Sequence, residues 1–554
     1  MAYLPSMQQD WSIEIIQAGQ LQRYQGRANL LEWSGGQARV VIEALALGQR
    51  LRVLATATQL PDQLRLLHPR KYKKTDRLLA NGWQSWSETR TYAPGERIKP
   101  LRRIARPYMG FYGDYHHELV GRGPNRLHSW SWAQISQLDT DEIELLASCN
   151  EQQAFTLFEY QVADEQVRIT PDLAGWVPAE AEEICLLDLC FLQGSTTACY
   201  DAWQQALAIA PTRLPPQNGW TSWYQYYQHI NPGLLHKVLA AMAPRLKEGD
   251  IFQVDDGYAA AIGDWLKPDA AFQPGDMPQL AEAIRKQGLR PGIWLAPTVA
   301  ADEAELLQEQ PELILKDRRG RPLKAGYNPG WGGYYRALDT EHPAWMDYIE
   351  KVIQTQCQDW GYRMLKLDFL FTACLYPRAG FTRAQLMHRC LQRLRDWAGP
   401  EVALLGCGTP LASGFGLFDY CRISADIHLK WEHRMLAFLR HRERVSTRIA
   451  LRSTAFRYPL NGRMWQSDPD VFLLRDENQQ LSKTQRAMVL QLNTLLGDLC
   501  FTSDDPTTYG SWQEEQWQWF MAHQQEKVLQ LSEVAPLQLR LTTEERSYRF
   551  DLNK

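Results

Sequence analysis

Apolar and polar residues alternate over short distances in the first 200 residues. Ala38-Arg39-Val40-Val41-Ile42-Glu43 and Glu142-Ile143-Glu144-Leu145-Leu146 are β-branched or alternating runs, and Gly, Pro, Asn and Asp break the chain between such runs. A period of two puts successive side chains on opposite faces of a half-buried strand, so residues 1–205 predict an antiparallel β-sandwich. From about residue 205 the pattern changes to apolar strands separated by amphipathic helices, as parallel β/α construction requires. The change falls near Pro211-Thr212-Arg213-Leu214-Pro215-Pro216, a linker-like stretch.

Eight strand candidates follow: Gly219–Tyr224, Ile251–Asp256, Pro291–Pro297, Met364–Phe371, Val402–Gly408, Tyr420–Asp426, Met464–Asp470 and Leu499–Asp505. Eight is the number a closed barrel needs. Between them, Glu341–Gly361 carries Trp345, Tyr348, Ile349, Val352, Ile353 and Trp360 on one helical face and closes on glycine, a stop signal. The last residues again read as short strands, as in Leu537-Gln538-Leu539-Arg540-Leu541. The expected fold is multidomain: an N-terminal β-sandwich over 1–205, a central (β/α)8 TIM barrel over 206–528 and a small C-terminal β element over 529–554.

Composition narrows the class without changing that architecture. Over 554 residues, 45% apolar and 22% charged side chains are globular proportions. Sixty basic against 64 acidic groups leave a net charge of -4 with no long single-sign run, which argues against a nucleic-acid partner. Ten cysteines show neither a CxxC pair nor histidine-interleaved spacing, so no metal site and no disulfide framework is expected; free thiols suit a reducing compartment. The first ten residues lack a basic segment followed by an apolar one, and no apolar run approaches the roughly 20 residues that span a bilayer. The expectation is a cytoplasmic protein with no membrane partner and no cofactor, homo-oligomerisation being left open. The 21 tryptophans and 23 tyrosines are an excess. They could fill cores or stack on sugar faces, and only position separates the two.

Chemistry in a barrel gathers at the C-terminal strand ends. Here those ends read Asp255-Asp256, Lys366-Leu367-Asp368, Cys407-Gly408, Arg422 to Asp426, Asp468-Pro469-Asp470 and Asp504-Asp505. Any one carboxylate could merely cap the next helix. Lys366 and Asp368, two apart on one strand, point the same way, and a cation beside a carboxylate keeps it ionised. Asp426 arrives from a different strand. Two carboxylates at a barrel mouth suit glycosidic bond cleavage, with a separation of about 5 Å for retention and about 6.5 Å or more for inversion. No phosphate loop, metal-ligand spacing or Ser/Cys nucleophile elbow supports a rival chemistry.

At these residues the chain resembles glycoside hydrolase family 36, the bacterial α-galactosidase family that shares a clan with family 27. The motifs are Asn81-Gly82-Trp83-Gln84-Ser85-Trp86, Gly219-Trp220-Thr221-Ser222-Trp223-Tyr224, Phe252 to Tyr258 with Gly263-Asp264-Trp265, Gly292 to Pro297, Lys366 to Phe371, Gly406 to Leu411, Arg422 to Asp426 and Asp468 to Asp470, in family order. The resemblance implies sandwich, barrel and C-terminal β-domain. It implies Asp368 as nucleophile and Asp426 as acid/base, with Arg422 on the sugar 2-hydroxyl or on the nucleophile. Asp255 and Asp256 would accept from O4 and O6, and Lys366 would donate to O3 or O4. Trp294, Trp223 and Tyr224 would line the sugar site, Trp86 would close it from outside the barrel, and Cys407 would stand near O2.

The function implied is retaining hydrolysis of terminal α-galactosyl units from galacto-oligosaccharides. Relatives acting on α-N-acetylgalactosaminides, raffinose-synthase-like transferases and a non-catalytic sugar-binding protein are the alternatives. Three features depart from larger family members. Phe369-Leu370-Phe371 stands where Met-Asn follows the nucleophile, as in the shorter thermophilic branch; Ala425 precedes the acid/base; and few residues remain for a C-terminal domain. Ile427-His428-Leu429-Lys430-Trp431 is also unlike the family pattern, and it puts His428 and Lys430 forward as residues facing the aglycone.

Overall fold

The structure is a computed structural model and describes residues 11–26, 30–120, 126–179, 182–210, 212, 214–317, 319–378 and 380–553. The first ten residues, and Pro211 and Arg213 of the linker stretch, lie outside the described residues.

The alternating segments of the N-terminal third form two antiparallel sheets. The first has six strands in the order Gln20–Gln25, Ser12–Gln17, Gln63–Pro69, Gln166–Pro171, Thr156–Gln161 and His128–Trp130. The second has eight, with Gly48–Ala57 against Glu183–Ser195 at its centre. Ile13, Ile15, Leu64 and Leu66 of the first sheet share one buried apolar cluster with Leu51, Val53, Leu187 and Leu189 of the second. Alternation supplies this directly, because every second residue of these strands is apolar. The helix Thr196–Leu207, N-capped by the Ser195 hydroxyl, leads out of the second sheet.

Nine short parallel strands form the central sheet. Along the chain they are Gln217–Thr221, Ile251–Val254, Arg290–Leu295, Met364–Leu367, Ala403–Gly406, Tyr420–Arg422, Gln466–Asp468, Val471–Phe472 and Leu499–Thr502. The two ends of the sheet order, Gln466–Asp468 and Val471–Phe472, are joined only by Pro469-Asp470, so the sheet curls until its edges meet in one stretch of chain. Of the expected strand Met464–Asp470 only Gln466–Asp468 is paired, and a second piece, Val471–Phe472, follows just beyond it. Proline cannot donate to the ladder, and Asp470 has φ +79°, which turns the chain out of register. The other candidates are shortened at their C-terminal ends. Gly219–Tyr224 stops at Thr221 and Trp223–Tyr226 is a helical turn, while Met364–Phe371 stops at Leu367 before a 3-10 turn. Asp255, Asp256, Asp368 and Asp426 therefore lie beyond the ladder, in the loops, whereas Lys366 and Arg422 stay on it, and the β-like composition overstated the strands.

Pro343–Gln354 is the helix expected at 341–361, with proline at its first turn and a buried face of Trp345, Ile349, Val352 and Ile353. It ends in a wider π turn, Thr355–Asp359, from which Gln356 donates to the Tyr258 hydroxyl at 3.0 Å. An insertion after Arg290–Leu295 folds as a three-stranded sheet of Val299–Ala301, Gly333–Ala337 and Lys324–Asn328. The C-terminal residues form a further sheet of Val528–Ala535, Gln538–Thr543 and Ser547–Asp551. Its Glu533 is buried against Arg77 at 3.1 Å and Thr91 at 2.7 Å, which ties the C-terminus to the N-terminal sheets.

Candidate active site

A cavity of about 380 Å³ opens at the C-terminal ends of the parallel strands. Its walls come from several strand ends and the loops after them, from the insertion and from the N-terminal region. Of the eleven residues named from sequence, nine line it: Trp86, Trp223, Tyr224, Asp255, Asp256, Trp294, Lys366, Asp368 and Asp426. Cys407 and Arg422 are buried just behind it.

Asp368 follows the Met364–Leu367 strand and is 7% exposed. Its Oδ2 accepts from the Trp294 indole N–H at 3.0 Å and its Oδ1 from the Phe369 amide at 2.9 Å. Phe369 adopts φ +56°, a left-handed conformation that turns the chain sharply after the carboxylate. The cation expected to accompany Asp368 is engaged elsewhere. Lys366 Nζ binds Asp255 Oδ2 at 2.8 Å, and Asp255 also accepts from Gln253 and from the Thr221 hydroxyl. Burial opposes the charge on Lys366, but Asp255 outweighs it and raises the ammonium above its usual range. Asp256 accepts from the Trp331 indole and from Gln228, both at 3.0 Å. Burial pushes its carboxyl up to about 6, against the pull of those two donors.

Of the two partners expected for Arg422, the nucleophile is not beside it. Arg422 Nε, Nη1 and Nη2 lie 2.9 Å from Asp468, 2.7 Å from Asp426 and 2.8 Å from Asp470. All three nitrogens are thus occupied by carboxylates, one of them Asp426 and none of them Asp368. The Asp426 side chain is about one-third exposed, 33%, toward the cavity. Desolvation raises its carboxyl, Arg422 pulls it back, and the nearby Asp368 raises it again. Asp470 accepts from the Tyr224 hydroxyl at 2.5 Å and the Ile427 amide at 2.8 Å, so it anchors the chain beside Asp426 as well as Arg422. The Cys407 thiol, pushed up by burial and then by Asp368, is a strand-end core group and not part of the cavity wall.

Trp86 reaches the cavity from the N-terminal region, its ring edge-on to Phe369 at 4.9 Å. The loop that carries it is clamped by the buried Arg457. That guanidinium donates to Asn81 Oδ1 at 2.9 Å and to the carbonyls of Ser85, Gln84 and Ile423 at 2.5, 3.1 and 2.8 Å. Sequence reasoning passed over several wall residues. Trp331 and Asn328 belong to the insertion, where Asn328-Pro329-Gly330-Trp331-Gly332-Gly333 is a readable turn signal around an aromatic. Tyr112, Tyr227, Glu443 and Val445 carried no comparable signal. His428 lines the cavity, whereas the Lys430 side chain is exposed and does not.

Two carboxyl groups face one cavity, one bound by indole and amide donors and one held toward its protonated form, a pairing suited to nucleophilic and acid/base work. The surrounding aromatic rings offer apolar faces to a ring-shaped polar ligand.

No family model matches the chain. An α-galactosidase from Escherichia coli is 27% identical over 209 residues, 36% of this chain and 28% of that protein. A Flavonifractor plautii enzyme, the A type blood α-D-galactosamine galactosaminidase, is 25% identical over 174 residues, 29% of this chain and 16% of that one. The matched stretches thus span less than a third of these curated relatives. Likeness to a solved structure extends much further. The Thermus thermophilus α-galactosidase bound to p-nitrophenyl α-D-galactopyranoside superposes with a TM-score of 0.73 at 26% identity, covering 94% of this chain and 98% of that one. The family 36 α-galactosidase of Geobacillus stearothermophilus, at 12% identity and a TM-score of 0.60, shares the fold. In fold over nearly its whole length, and in sequence over about a third of it, the chain is thus similar to α-galactosidases.

Proposed function

We propose that the protein is a retaining α-galactosidase that releases terminal α-galactosyl units from galacto-oligosaccharides. The observation that carries the reading is that Asp368 and Asp426 face one aromatic-walled cavity in different electrostatic settings. Asp368 attacks C1 while Asp426 gives its proton to the departing oxygen, leaving a β-galactosyl ester on Asp368. Water, deprotonated by Asp426, then attacks C1, and the ester bond breaks with net retention. Asp255 and Asp256 accept from sugar hydroxyls, Lys366 holds Asp255 and donates toward the same edge, and Trp86, Trp223, Tyr224 and Trp294 exclude water.

The supporting frame in this reading is a (β/α)8 barrel over 206–528, a β-sandwich over 1–205 and a short C-terminal element over 529–554. Closure of the central sheet through Pro469-Asp470 supports eight strand positions, one of them interrupted. Location in the cytoplasm is favoured by ten cysteines that are all free thiols, and no helix among the described residues is long and apolar enough to cross a membrane.

An NMR time course on nitrophenyl α-galactoside tests the activity and the stereochemistry together, α-galactose being the first anomer expected. Asp368→Ala is expected to lower turnover by roughly 10⁴-fold or more, with azide restoring part of it on the activated substrate. A folded variant that keeps its activity removes the assignment. The Flavonifractor relative, named for a galactosamine substrate, makes the N-acetylated aryl glycoside the informative comparison.

A further inference from the structure

The mechanism leaves one side of the cavity without a role. Asp426 protonates the departing oxygen, so the group attached to that oxygen lies beside Asp426 and the residues near it. Ile427, His428 and Leu429, which follow Asp426 directly, all line the cavity, as do Trp223 and Tyr227, whose rings meet edge to face at 5.2 Å.

His428 is fixed in this wall from several directions. Its amide donates to the Thr447 hydroxyl at 3.2 Å, and its carbonyl accepts from the same hydroxyl at 2.7 Å. Its Nδ1 accepts from the Lys430 amide at 3.1 Å. A nitrogen that accepts carries no proton, so the ring proton of the neutral imidazole is on Nε2. Burial, then His433 and Lys430 nearby, lower the imidazole from its usual range and favour that neutral form. Among the described residues none accepts from Nε2.

We propose that His428 donates from Nε2 to a hydroxyl of a sugar aglycone, so that the site prefers galactose joined to a second hexose over galactose on a leaving group without hydroxyls. The inference rests on the galactosidase reading above and names the substrate class of that same site. The rings of Trp223 and Tyr227 supply the apolar part of the subsite, and the Ile427 amide bound to Asp470 fixes the segment relative to Asp426. The donor is built into the backbone turn His428-Leu429-Lys430, which explains why Lys430 matters through its amide although its side chain is exposed.

The experiment compares kcat/KM on melibiose, a galactose α-1,6-linked to a hexose, with kcat/KM on α-galactosyl fluoride, whose leaving group has no hydroxyl. For His428→Ala the loss on melibiose is expected to exceed the loss on the fluoride by about tenfold, mostly through KM. His428→Gln, whose amide nitrogen can stand near the Nε2 position, is expected to recover most of the difference. Equal losses on the two substrates, or a glutamine variant no better than alanine on melibiose, overturn the proposal, because a residue that only shapes the turn would affect both. Wild-type protein that cleaves the fluoride but shows no gain from a hexose aglycone also overturns it. Wild-type protein that cleaves neither overturns the galactosidase reading itself.

Discussion

Arg422 Nη1 stands 2.7 Å from Asp426 Oδ1, and the same guanidinium also binds Asp468 and Asp470. One cation facing three carboxylates leaves the cluster net negative, which favours proton retention within it. Asp426 is thereby oriented by a cation without being fully stabilised as an anion. A group that must first give a proton to a departing oxygen needs that compromise.

Asp470→Asn is predicted to move the basic limb of the kcat/KM profile to lower pH, by about one unit. The asparagine keeps an acceptor for the Ile427 amide but removes a negative charge from Arg422, so the cation stabilises ionised Asp426 more strongly. Rate against pH on nitrophenyl α-galactoside checks this, and an unmoved limb counts against the coupling. The same variant has a signature in stability. Burial pushes Asp470 up to about 7, against Arg422, from an ordinary value of 3.8. A carboxyl raised in the folded state contributes stability that is present below its unfolded value and lost as pH rises through about 7. Thermal midpoints between pH 4 and 8 are predicted to fall more steeply with pH for the parent than for Asp470→Asn.

Asp256, pushed up to about 6, is predicted to govern affinity on the acid side. Above that pH it is a carboxylate, which in the proposed reading accepts from the sugar. Below it the carboxyl is neutral and one acceptor is lost, so KM should rise as pH falls through about 6. Asp256→Asn fixes the neutral condition and should show a high KM that no longer changes between pH 5 and 7. Initial rates against substrate concentration across that range decide the point.

Trp294→Phe separates ring packing from hydrogen bonding. The ring volume is largely kept, but the indole N–H that binds Asp368 Oδ2 at 3.0 Å is lost. A hydrogen bond to a charged group is worth about 1.5–3 kcal/mol, so kcat/KM is predicted to fall by roughly 10- to 100-fold. Circular dichroism and a thermal midpoint close to the parent's would show that the loss is local. If the fall is under threefold, Asp368 is oriented by its own loop and not by Trp294.

The nine cavity-lining residues named from sequence were legible because each lies at the end of a predicted strand or inside a compact motif such as Asn81–Trp86. The partners of those residues were not. That Lys366 binds Asp255 and leaves Asp368 to Trp294 depends on how the sheet curls, since Arg290–Leu295 lies between the Lys366 and Asp255 strands, and a one-strand argument about Lys366 and Asp368 cannot contain that. The strand boundaries were overrun for a related reason. Residues such as Phe369-Leu370-Phe371 are apolar enough for a strand, yet they fold as a 3-10 turn because Asp368 bonds the next amide and Phe369 turns left-handed. Arg457 drew no attention at all. Its function lies in five bonds to groups from two distant segments, the 81–85 loop and Ile423, and nothing in Ala455-Phe456-Arg457 announces them.

That clamp carries the last prediction. Arg457 is fully buried, burial lowers it to about 9, and the acceptors that hold it are the Asn81 side chain and backbone carbonyls, mostly of the loop that delivers Trp86. Arg457→Lys keeps a positive charge but replaces a planar fork with a point donor that can satisfy at most three acceptors. The orphaned carbonyls are expected to cost about 2 kcal/mol, a midpoint lower by roughly 3 °C for a domain of more than 300 residues. The informative readout is kinetic. If the clamp sets the position of Trp86, KM for the galactoside rises together with the fall in midpoint, and Trp86→Phe added to Arg457→Lys raises it less than in the parent, because the ring is already displaced. Strictly additive effects would show instead that Trp86 is held by Phe369 and Phe371, its ring neighbours at 4.9 and 6.0 Å, whatever the loop beneath it does.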